Sequence, residues 1–354
     1  MLKTLFPTLA RFRFAVQLLM LFVTVYGSVI VGNYLADKLS NALPALSCAY
    51  DPMNGGYCVL VPTQHILHHR IGEAIVRAQT LTFQMVLPLL MTFASFFAFF
   101  FVLGKAFCGW VCPLGTMQEW IGRLGRRFQL GLRRFAPGDL GEVKRVRPVK
   151  WLILVGLVFL LPLLTGLGVT PHSLGNPYCD LCPSRIATTL LTGNTHELAL
   201  RLGDHASFAL GAIANVLVGF TLVGALAIRQ PFCRICPLLA FNALFQRLSP
   251  LRLAKPSRDK CGNCRICTEA CPMDIPEISE QEGRKAYHED CTLCGRCAEY
   301  CPQERVIQLK WGPWALFSSR RDYYKKKVQR ELPDGTVKPL RFVKNAGQAA
   351  SADV

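Results

Sequence analysis

Sixteen cysteines stand in a chain of 354 residues, and fourteen of them fall in Cys-x2-Cys or Cys-x3-Cys pairs or in longer runs. Five of those groupings end in Cys-Pro. This is metal-ligand spacing rather than the framework of a short secreted disulfide scaffold. The strongest pattern is Cys261-x2-Cys264-x2-Cys267-x3-Cys271-Pro272, followed by Cys291-x2-Cys294-x2-Cys297-x3-Cys301-Pro302. Spacing of this kind lets consecutive thiolates wrap three corners of a cubane, and the proline turns the chain away. In the doubled run the fourth cysteine of each half crosses to the other cluster. One cubane is therefore expected on Cys261, Cys264, Cys267 and Cys301, and a second on Cys291, Cys294, Cys297 and Cys271. Zinc also accepts four thiolates, but eight cysteines in this register favour iron–sulfur. No His or carboxylate constellation accompanies them, so the module stores electrons and performs no bond chemistry.

Two further sets are read from position in the chain. Cys108, Cys112, Cys233 and Cys236 follow two apolar stretches and form a third four-thiolate site at the inner membrane face, where iron–sulfur is favoured over zinc. Cys48, Cys58, Cys179 and Cys182 lie in the two loops of the opposite side. They make either a fourth cluster near the outer face or disulfides, since the outer compartment of a bacterium is oxidising.

These sets need elements to position them. The chain is 51% hydrophobic yet carries a net charge of +17. The two fit together if the apolar residues form membrane spans and the charges flank them; nucleic acid is not the expected partner. Four uncharged stretches approach or exceed the roughly 20 residues that cross a bilayer as helix, at about 14–36, 81–103, 151–169 and 207–228. Pro88 and Pro162 within them are tolerable in membrane helices. The first stretch is too long for the apolar core of a signal peptide. Lys and Arg crowd the loop 104–150 and are sparse in loops 37–80 and 170–206. Both termini and the middle loop then face the cytoplasm. An internal duplication supports this order. Phe107-Cys108-Gly-Trp-Val-Cys112-Pro113-Leu114 follows the second span and Phe232-Cys233-Arg-Ile-Cys236-Pro237-Leu238 the fourth, with Arg-Leu at equal offsets beyond, Arg123-Leu124 and Arg247-Leu248. Two halves in the same orientation are related by an axis along the membrane normal.

Domain boundaries follow: a cytoplasmic N-terminus (1–13), a four-span domain (14–250), a cysteine module (255–310) and a basic tail (311–354) whose Trp311, Trp314 and Phe317 suit a membrane surface. His65, His68 and His69 share one face if their segment is helical. They are candidates for a quinol head group, a haem or a metal, against the plainer reading of an interfacial helix. His172, near Cys179, is a candidate to replace a thiolate. Gln17, Gln84 and Asn215 are polar within spans, as helix–helix hydrogen bonding or a quinone site would require. The chain has no Cys-x2-Cys-His, Gly-x-Gly-x-x-Gly or P-loop motif.

Four spans, Cys-Gly-Trp-Val-Cys-Pro after the second, Cys-x2-Cys-Pro after the fourth and a C-terminal doubled cysteine run resemble the NapH/NosR/MauN-type membrane polyferredoxins over about residues 10–305. The resemblance departs at Cys233 and Cys236, separated by two residues where the family pattern has three, and no large outer N-terminal flavin domain is present. The fold it implies is an all-α polytopic membrane domain, four transmembrane helices in a tandem two-helix repeat, plus a small α+β ferredoxin-like 2[4Fe–4S] domain. The location implied is the bacterial inner membrane, multi-pass with both termini cytoplasmic. The function implied is electron transfer through up to four [4Fe–4S] clusters, between a cytoplasmic donor or the quinol pool and a periplasmic oxidoreductase or cytochrome. Two alternatives stay open: a quinol dehydrogenase confined to the membrane and inner face, and a maturation factor reducing a metal centre or thiols of a client. Anaerobically purified protein is expected to carry about sixteen irons per chain, as four cubanes require. A value of about twelve, with the outer cysteines found as disulfides, would confine the clusters to the inner side.

Overall fold

A bilayer selects helices whose outer faces are apolar and whose polar backbone is satisfied internally, and the longest helices of this chain meet both conditions. The computed structural model describes residues 9–31, 50–51, 55–56, 58, 60–78, 82–128, 143–200, 204–246, 248–255, 261, 265–280, 283 and 289–321. Among the described residues, four helices are long and apolar enough to cross a membrane: Leu9–Tyr26 within α1 (Leu9–Val31), α4 (Phe83–Leu103), the continuous helix Val143–Gly166, and α10 (His205–Ala227). The third comprises α6 (Val143–Ile153), a π-helical stretch (Leu154–Leu160) and α7 (Leu161–Gly166). Leu19, Met91, Leu152, Val216 and Val223 stand exposed on these helices, a surface suited to hydrocarbon rather than water.

Among the described residues, the segments between the spans are largely helical and pack against the longer helices. A two-stranded pair, β1 (Tyr50–Asp51) and β2 (Gly55–Gly56), precedes a second helical run. That run is α2 (Leu60–His65), a π-helical stretch (Ile66–Gly72) and α3 (Glu73–Ala78). After the second span a short π-helical turn (Phe107–Val111) leads into α5 (Pro113–Arg127). After the third come α8 (Pro177–Leu181) and α9 (Pro183–Leu191), and after the fourth α11 (Pro237–Phe245). Thr188 and Thr189 on α9 are buried, and their hydroxyls donate to carbonyls of their own helix, Ser184 and Arg185 among them. That is how a polar group is accommodated away from water.

The cysteine module closes the chain. Strands β3 (Leu251–Ala254), β4 (Gln308–Trp311) and β5 (Trp314–Ser318) form an antiparallel sheet in that order, with Leu251 opposite Trp311 and Trp311 opposite Trp314. Two short helices, α12 (Ile266–Ala270) and α13 (Arg296–Tyr300), carry cysteines of the two runs. The architecture is thus mostly helical, with four membrane-spanning candidates and a ferredoxin-type domain.

Three expectations differ from what is found, each because a distant partner changes the local balance. The first helix starts at Leu9 rather than near residue 14 and includes Arg11 and Arg13. Arg13 is 1% exposed and paired with Glu119 of α5. The third helix starts at Val143, inside the stretch counted as loop. Its Lys150 is fully buried against Asp290, and Arg147 reaches Glu277, Glu289 and Asp290 at 3.2, 2.9 and 3.0 Å. The tail expected from Trp311 begins later, because 311–318 completes the module's sheet. Trp311 Nε1 donates to the Val102 carbonyl at 3.2 Å, at the end of the second span.

Glu119 is the centre of the junction between the membrane helices and the module. Its carboxylate accepts from Arg13, from Arg296 at 2.6 Å, from Arg123 at 2.7 Å and from Gln17 at 3.0 Å. Burial opposes its ionisation, and the guanidiniums of Arg13, Arg296 and Arg123 outweigh it, holding the carboxyl well below the usual carboxylate range. A depressed folded-state pKa contributes stability that is present at neutral pH and lost only as pH falls through that folded value. Glu119→Gln, which leaves buried cations uncompensated, is expected to cost about 3–5 kcal/mol, read as a lowered unfolding midpoint in detergent. Arg77→Gln, at the exposed Glu73 pair (80% exposed on the arginine side), is expected to leave the midpoint within about 1 kcal/mol of its value.

Candidate metal centres

The module wraps its thiols with tight local turns. Helices α12 and α13 each begin at a left-handed residue, Arg265 (φ 55°) and Gly295 (φ 76°), and each ends one residue before the fourth cysteine of its run. Cys291, Cys294 and Cys297 line a small cavity together with Cys271, the fourth cysteine of the other run. Cys261, Cys267 and Cys301 line a second, so the crossing of fourth cysteines is present in both directions. Cys264 lies outside the described residues. Burial pushes the Cys291 thiol up to about 11 and raises Cys271 and Cys297 as well. Such thiols become thiolates together only beside compensating positive charge. Iron supplies it, and the apolar walls, Leu253, Met273 and Leu293 among them, do not; the donor set therefore fits a cluster.

In the membrane domain, Cys108, Cys112, Cys233 and Cys236 line one cavity. Cys58, Cys179 and Cys182 line the same cavity, while Cys48 lies outside the described residues. Three cysteines of the outer set therefore lie beside the inner one, brought there by the packing of α2, α8 and α9 against the longer helices. No disulfide joins the described cysteines.

Each set is served by one glutamine in the same way. Gln118 Nε2 donates to Cys233 Sγ at 3.6 Å and to the Leu114 carbonyl, while its Oε1 accepts from the Phe232 amide at 3.1 Å. Gln64 Nε2 donates to Cys179 Sγ at 3.0 Å and to the Leu60 carbonyl, while its Oε1 accepts from the Tyr178 amide at 3.2 Å. Leu60 and Leu114, Gln64 and Gln118, Tyr178 and Phe232, Cys179 and Cys233 are all 54 residues apart. Cys58 and Cys112, and Cys182 and Cys236, keep the same interval. Neither glutamine was singled out in the sequence, although each stands six residues after a cysteine, Cys58 or Cys112.

The membrane cavity and the cavity of Cys271, Cys291, Cys294 and Cys297 share a wall residue, Thr292. Gly109 makes the approach possible: a Cβ there would lie 2.5 Å from the Thr292 carbonyl oxygen and 3.3 Å from Cys294 Cα. Trp110 Nε1 donates to the Leu293 carbonyl at 3.0 Å, and Arg13 to the Cys294 carbonyl at 3.2 Å. Lys105, fully buried, donates to the Glu289 carbonyl, and burial lowers its pKa to about 8. Gln17, expected in helix–helix bonding or at a quinone, donates to the Gly109 carbonyl at 3.2 Å, and Asn215 to the Leu198 carbonyl at 3.0 Å.

The histidines divide. His65 ends α2 and is exposed. His68 and His69 fall in the π-helical stretch, their rings stacked at 4.0 Å, and His172 approaches both, at 4.6 and 5.4 Å between ring centroids. His172 faces this group and Glu73, not the cysteines.

Comparisons with known proteins agree with this geometry. A family described as "4Fe-4S binding domain" matches twice, at residues 85–131 and 210–256, and a "4Fe-4S dicluster domain" matches residues 255–322. The chain is 28% identical over 214 residues to the putative electron transport protein YccM of Escherichia coli, covering 60% of this chain and 53% of that protein. It is 29% identical over 232 residues to the ferredoxin-type protein NapH of Haemophilus influenzae, covering 64% and 66%. It is 26% identical over 200 residues to the regulatory protein NosR of Stutzerimonas stutzeri, covering 55% of this chain and 24% of that protein. The matched region thus spans half to two-thirds of YccM and NapH and a quarter of NosR. No solved structure matches. Fold and cysteine sites together define a membrane protein of iron–sulfur electron transfer, carrying [4Fe–4S] clusters. The chain is similar to the NapH/NosR-type polyferredoxins in its 4Fe–4S matches and in these relatives.

Gly109→Ala is expected to destabilise the junction by about 1–3 kcal/mol through overpacking, seen as a lowered unfolding midpoint. Gly156→Ala, where an added Cβ meets nothing within 4 Å, is expected to leave it unchanged.

Proposed function

We propose that this protein conducts electrons across the inner membrane of a bacterium, between a cytoplasmic donor or the quinol pool and a periplasmic redox partner. The observation that carries the reading is the set of three cysteine-lined cavities among the described residues, the last two sharing a wall residue. Cys261, Cys267 and Cys301 come first, then the set of Cys271, Cys291, Cys294 and Cys297. Across Thr292 lies the cavity shared by the inner and outer sets. In this reading the ligands are four sets of four: Cys261, Cys264, Cys267 and Cys301; Cys291, Cys294, Cys297 and Cys271; Cys108, Cys112, Cys233 and Cys236; and Cys48, Cys58, Cys179 and Cys182. [4Fe–4S] clusters held there supply one-electron carriage.

The chain's own residues set the conditions for that carriage. Apolar walls exclude water from the thiolates. Gln64 and Gln118 donate to one sulfur each, favouring the more negatively charged, reduced state. The matching pattern of Gln64 and Gln118 supports treating the outer cysteines as a metal set like the inner one rather than as disulfides. The two "4Fe-4S binding domain" matches, at corresponding places after the second and fourth spans, support a tandem repeat. The distribution of Lys and Arg supports cytoplasmic termini. The printed names of YccM and NapH, an electron transport protein and a ferredoxin-type protein, accord with the same class of activity.

Sealed vesicles supplied only with an inner reductant are expected to reduce an impermeant outer acceptor. Failure of that reduction with intact clusters would sink the proposal. Gln118→Leu is expected to lower one membrane-domain potential by about 20–60 mV, the equivalent of a hydrogen bond of about 0.5–1.5 kcal/mol in a one-electron couple, in a redox titration. Gln64→Leu is expected to do the same to the other.

A further inference from the structure

One group of metal-ligating side chains lies apart from every cysteine set. The ligand atoms of His68, His69, Glu73 and His172 all fall within 4.8 Å of one another. They converge on one carboxylate oxygen: Glu73 Oε1 is 2.7 Å from His69 Nδ1, 3.8 Å from His68 Nε2 and 3.9 Å from His172 Nε2. We infer that these four residues form a mononuclear site for a divalent first-row transition-metal ion.

Three observations carry this. First, the donors straddle the spacing an ion needs: tetrahedral bonds of about 2.0–2.1 Å put donors about 3.3–3.4 Å apart, the separations here run from 2.7 Å to no more than 4.8 Å, and side-chain shifts of about an ångström or less complete the shell. Second, His68 is 1% exposed, its Nδ1 meets no hydrogen-bond partner, and its Nε2 is too far from Glu73 for a hydrogen bond. Of its two nitrogens Nε2 is the one that faces Glu73, so a metal there gives the buried ring a bond it otherwise lacks, while Nδ1 packs against Gly175. Third, the backbone is shaped to hold His68 there. A Cβ on Gly175 would lie 2.2 Å from His68 Nδ1, and one on Gly166 2.4 Å from the His68 carbonyl oxygen. Two glycines thus admit the ring and its helix.

The chemistry of the donors selects the ion. Three imidazoles and one carboxylate suit zinc, iron(II), copper or nickel, whereas magnesium and calcium prefer oxygen alone. His68, His69 and Glu73 come from the π-helical stretch and α3, but His172 comes from the segment that leads to Cys179. An ion would therefore fasten that segment to the helix that also carries Gln64, the partner of Cys179. The π-helical geometry matters here, because it sets His68 and His69 side by side over Glu73, a grouping an α-helical face of His65, His68 and His69 does not provide.

The test uses full-length protein in detergent, purified anaerobically and dialysed against buffered Zn²⁺. Zinc, iron and acid-labile sulfide are then counted per chain, and the zinc environment is read by X-ray absorption. We expect one zinc bound through nitrogen and oxygen at about 2.0–2.1 Å, with no sulfur shell at about 2.3 Å. The double variant His69→Ala/His172→Ala is expected to bind at least about 100-fold more weakly with iron and sulfide unchanged. His172→Ala alone removes a side chain that is 76% exposed, so it cannot collapse the fold, and it is expected to weaken zinc by about 10-fold or more. Equal zinc uptake by the wild type and His172→Ala, or a sulfur shell around the zinc, would overturn the inference. A low iron count in the wild type would instead count against the electron-conduit reading, which this site does not depend on.

Discussion

Everything in this structure depends on how closely the backbone of one domain can approach the cysteines of the other. Electron tunnelling falls steeply with distance, so two cysteine sets on separate domains are useful to each other only if little lies between them. Here the separation is reduced to the Thr292 main chain, which walls both the module's inner cavity and the membrane cavity. That approach requires the absence of a side chain at Gly109. It also requires the module to be held against the bilayer face, and apolar contact alone does not specify such a register. The register comes from charge. Arg13 and Arg296 converge on Glu119, while Lys150 and Arg147 converge on Asp290. Removing one partner of such a buried group is costly, because the other charge is left uncompensated. The pairs therefore act less as glue than as a demand for one particular docking.

The same economy of distance explains the membrane domain. Two cysteine sets at opposite faces would be separated by most of a hydrocarbon core about 30 Å thick. The chain avoids this by folding the segments after the first and third spans inward, so that Cys58, Cys179 and Cys182 join the cavity of the inner set. Irregular backbone at such depth is tolerated only where protein buries it. The hydroxyls of Thr188 and Thr189 and the amide of Gln64 are accordingly bonded within the protein. The 54-residue interval between equivalent hydrogen bonds shows that one local solution serves twice. In the inner set Pro113 opens α5 directly after Cys112, and Gln118 on that helix reaches back to a sulfur and an amide across the cavity. In the outer set the helix of Gln64 opens at Leu60 and has its proline inside, at Pro62. The glutamine contact is thus the part of the pattern that is kept.

Much of this was legible in the sequence, and the rest was hidden for identifiable reasons. The doubled cysteine run fixes its own register, since ligand spacing is local; the grouping of Cys271 with the second run is present in the structure as the spacing implies. Four spans were legible because uncharged apolar runs of that length have few other uses. Their ends were less so. Residues 9–13 and 143–150 read as flanking charge, because the carboxylates that neutralise Arg13 and Lys150 lie more than a hundred residues away, at Glu119 and Asp290. Trp311 and Trp314 read as a surface tail because β4, which holds Trp311 and pairs with β5, is itself anchored to β3, far upstream. No residue pattern marked the recession of the outer cysteines, which was called for only by the steep fall of electron tunnelling with distance. Hydropathy sorts residues into span and loop, and it has no means of marking a loop that turns back inside.

The local dielectric gives these details a common consequence. In an apolar cavity each fixed dipole or charge acts on an enclosed redox group more strongly than it would in water. The polar groups facing the cysteines are few: the amides of Gln64 and Gln118, the Asn242 amide 3.5 Å from Cys108 Sγ, and Lys105 near the junction. Each is fixed by a second contact or by burial, so its field does not fluctuate with solvent. A relay with several stations needs potentials that are close but ordered, and potentials follow hydrogen bonds and solvent around each centre. Placing a few fixed donors in a dry, rigid wall lets the chain tune each station with single residues. The junction, by contrast, concentrates charge, because its task is to hold a distance and not to tune a potential.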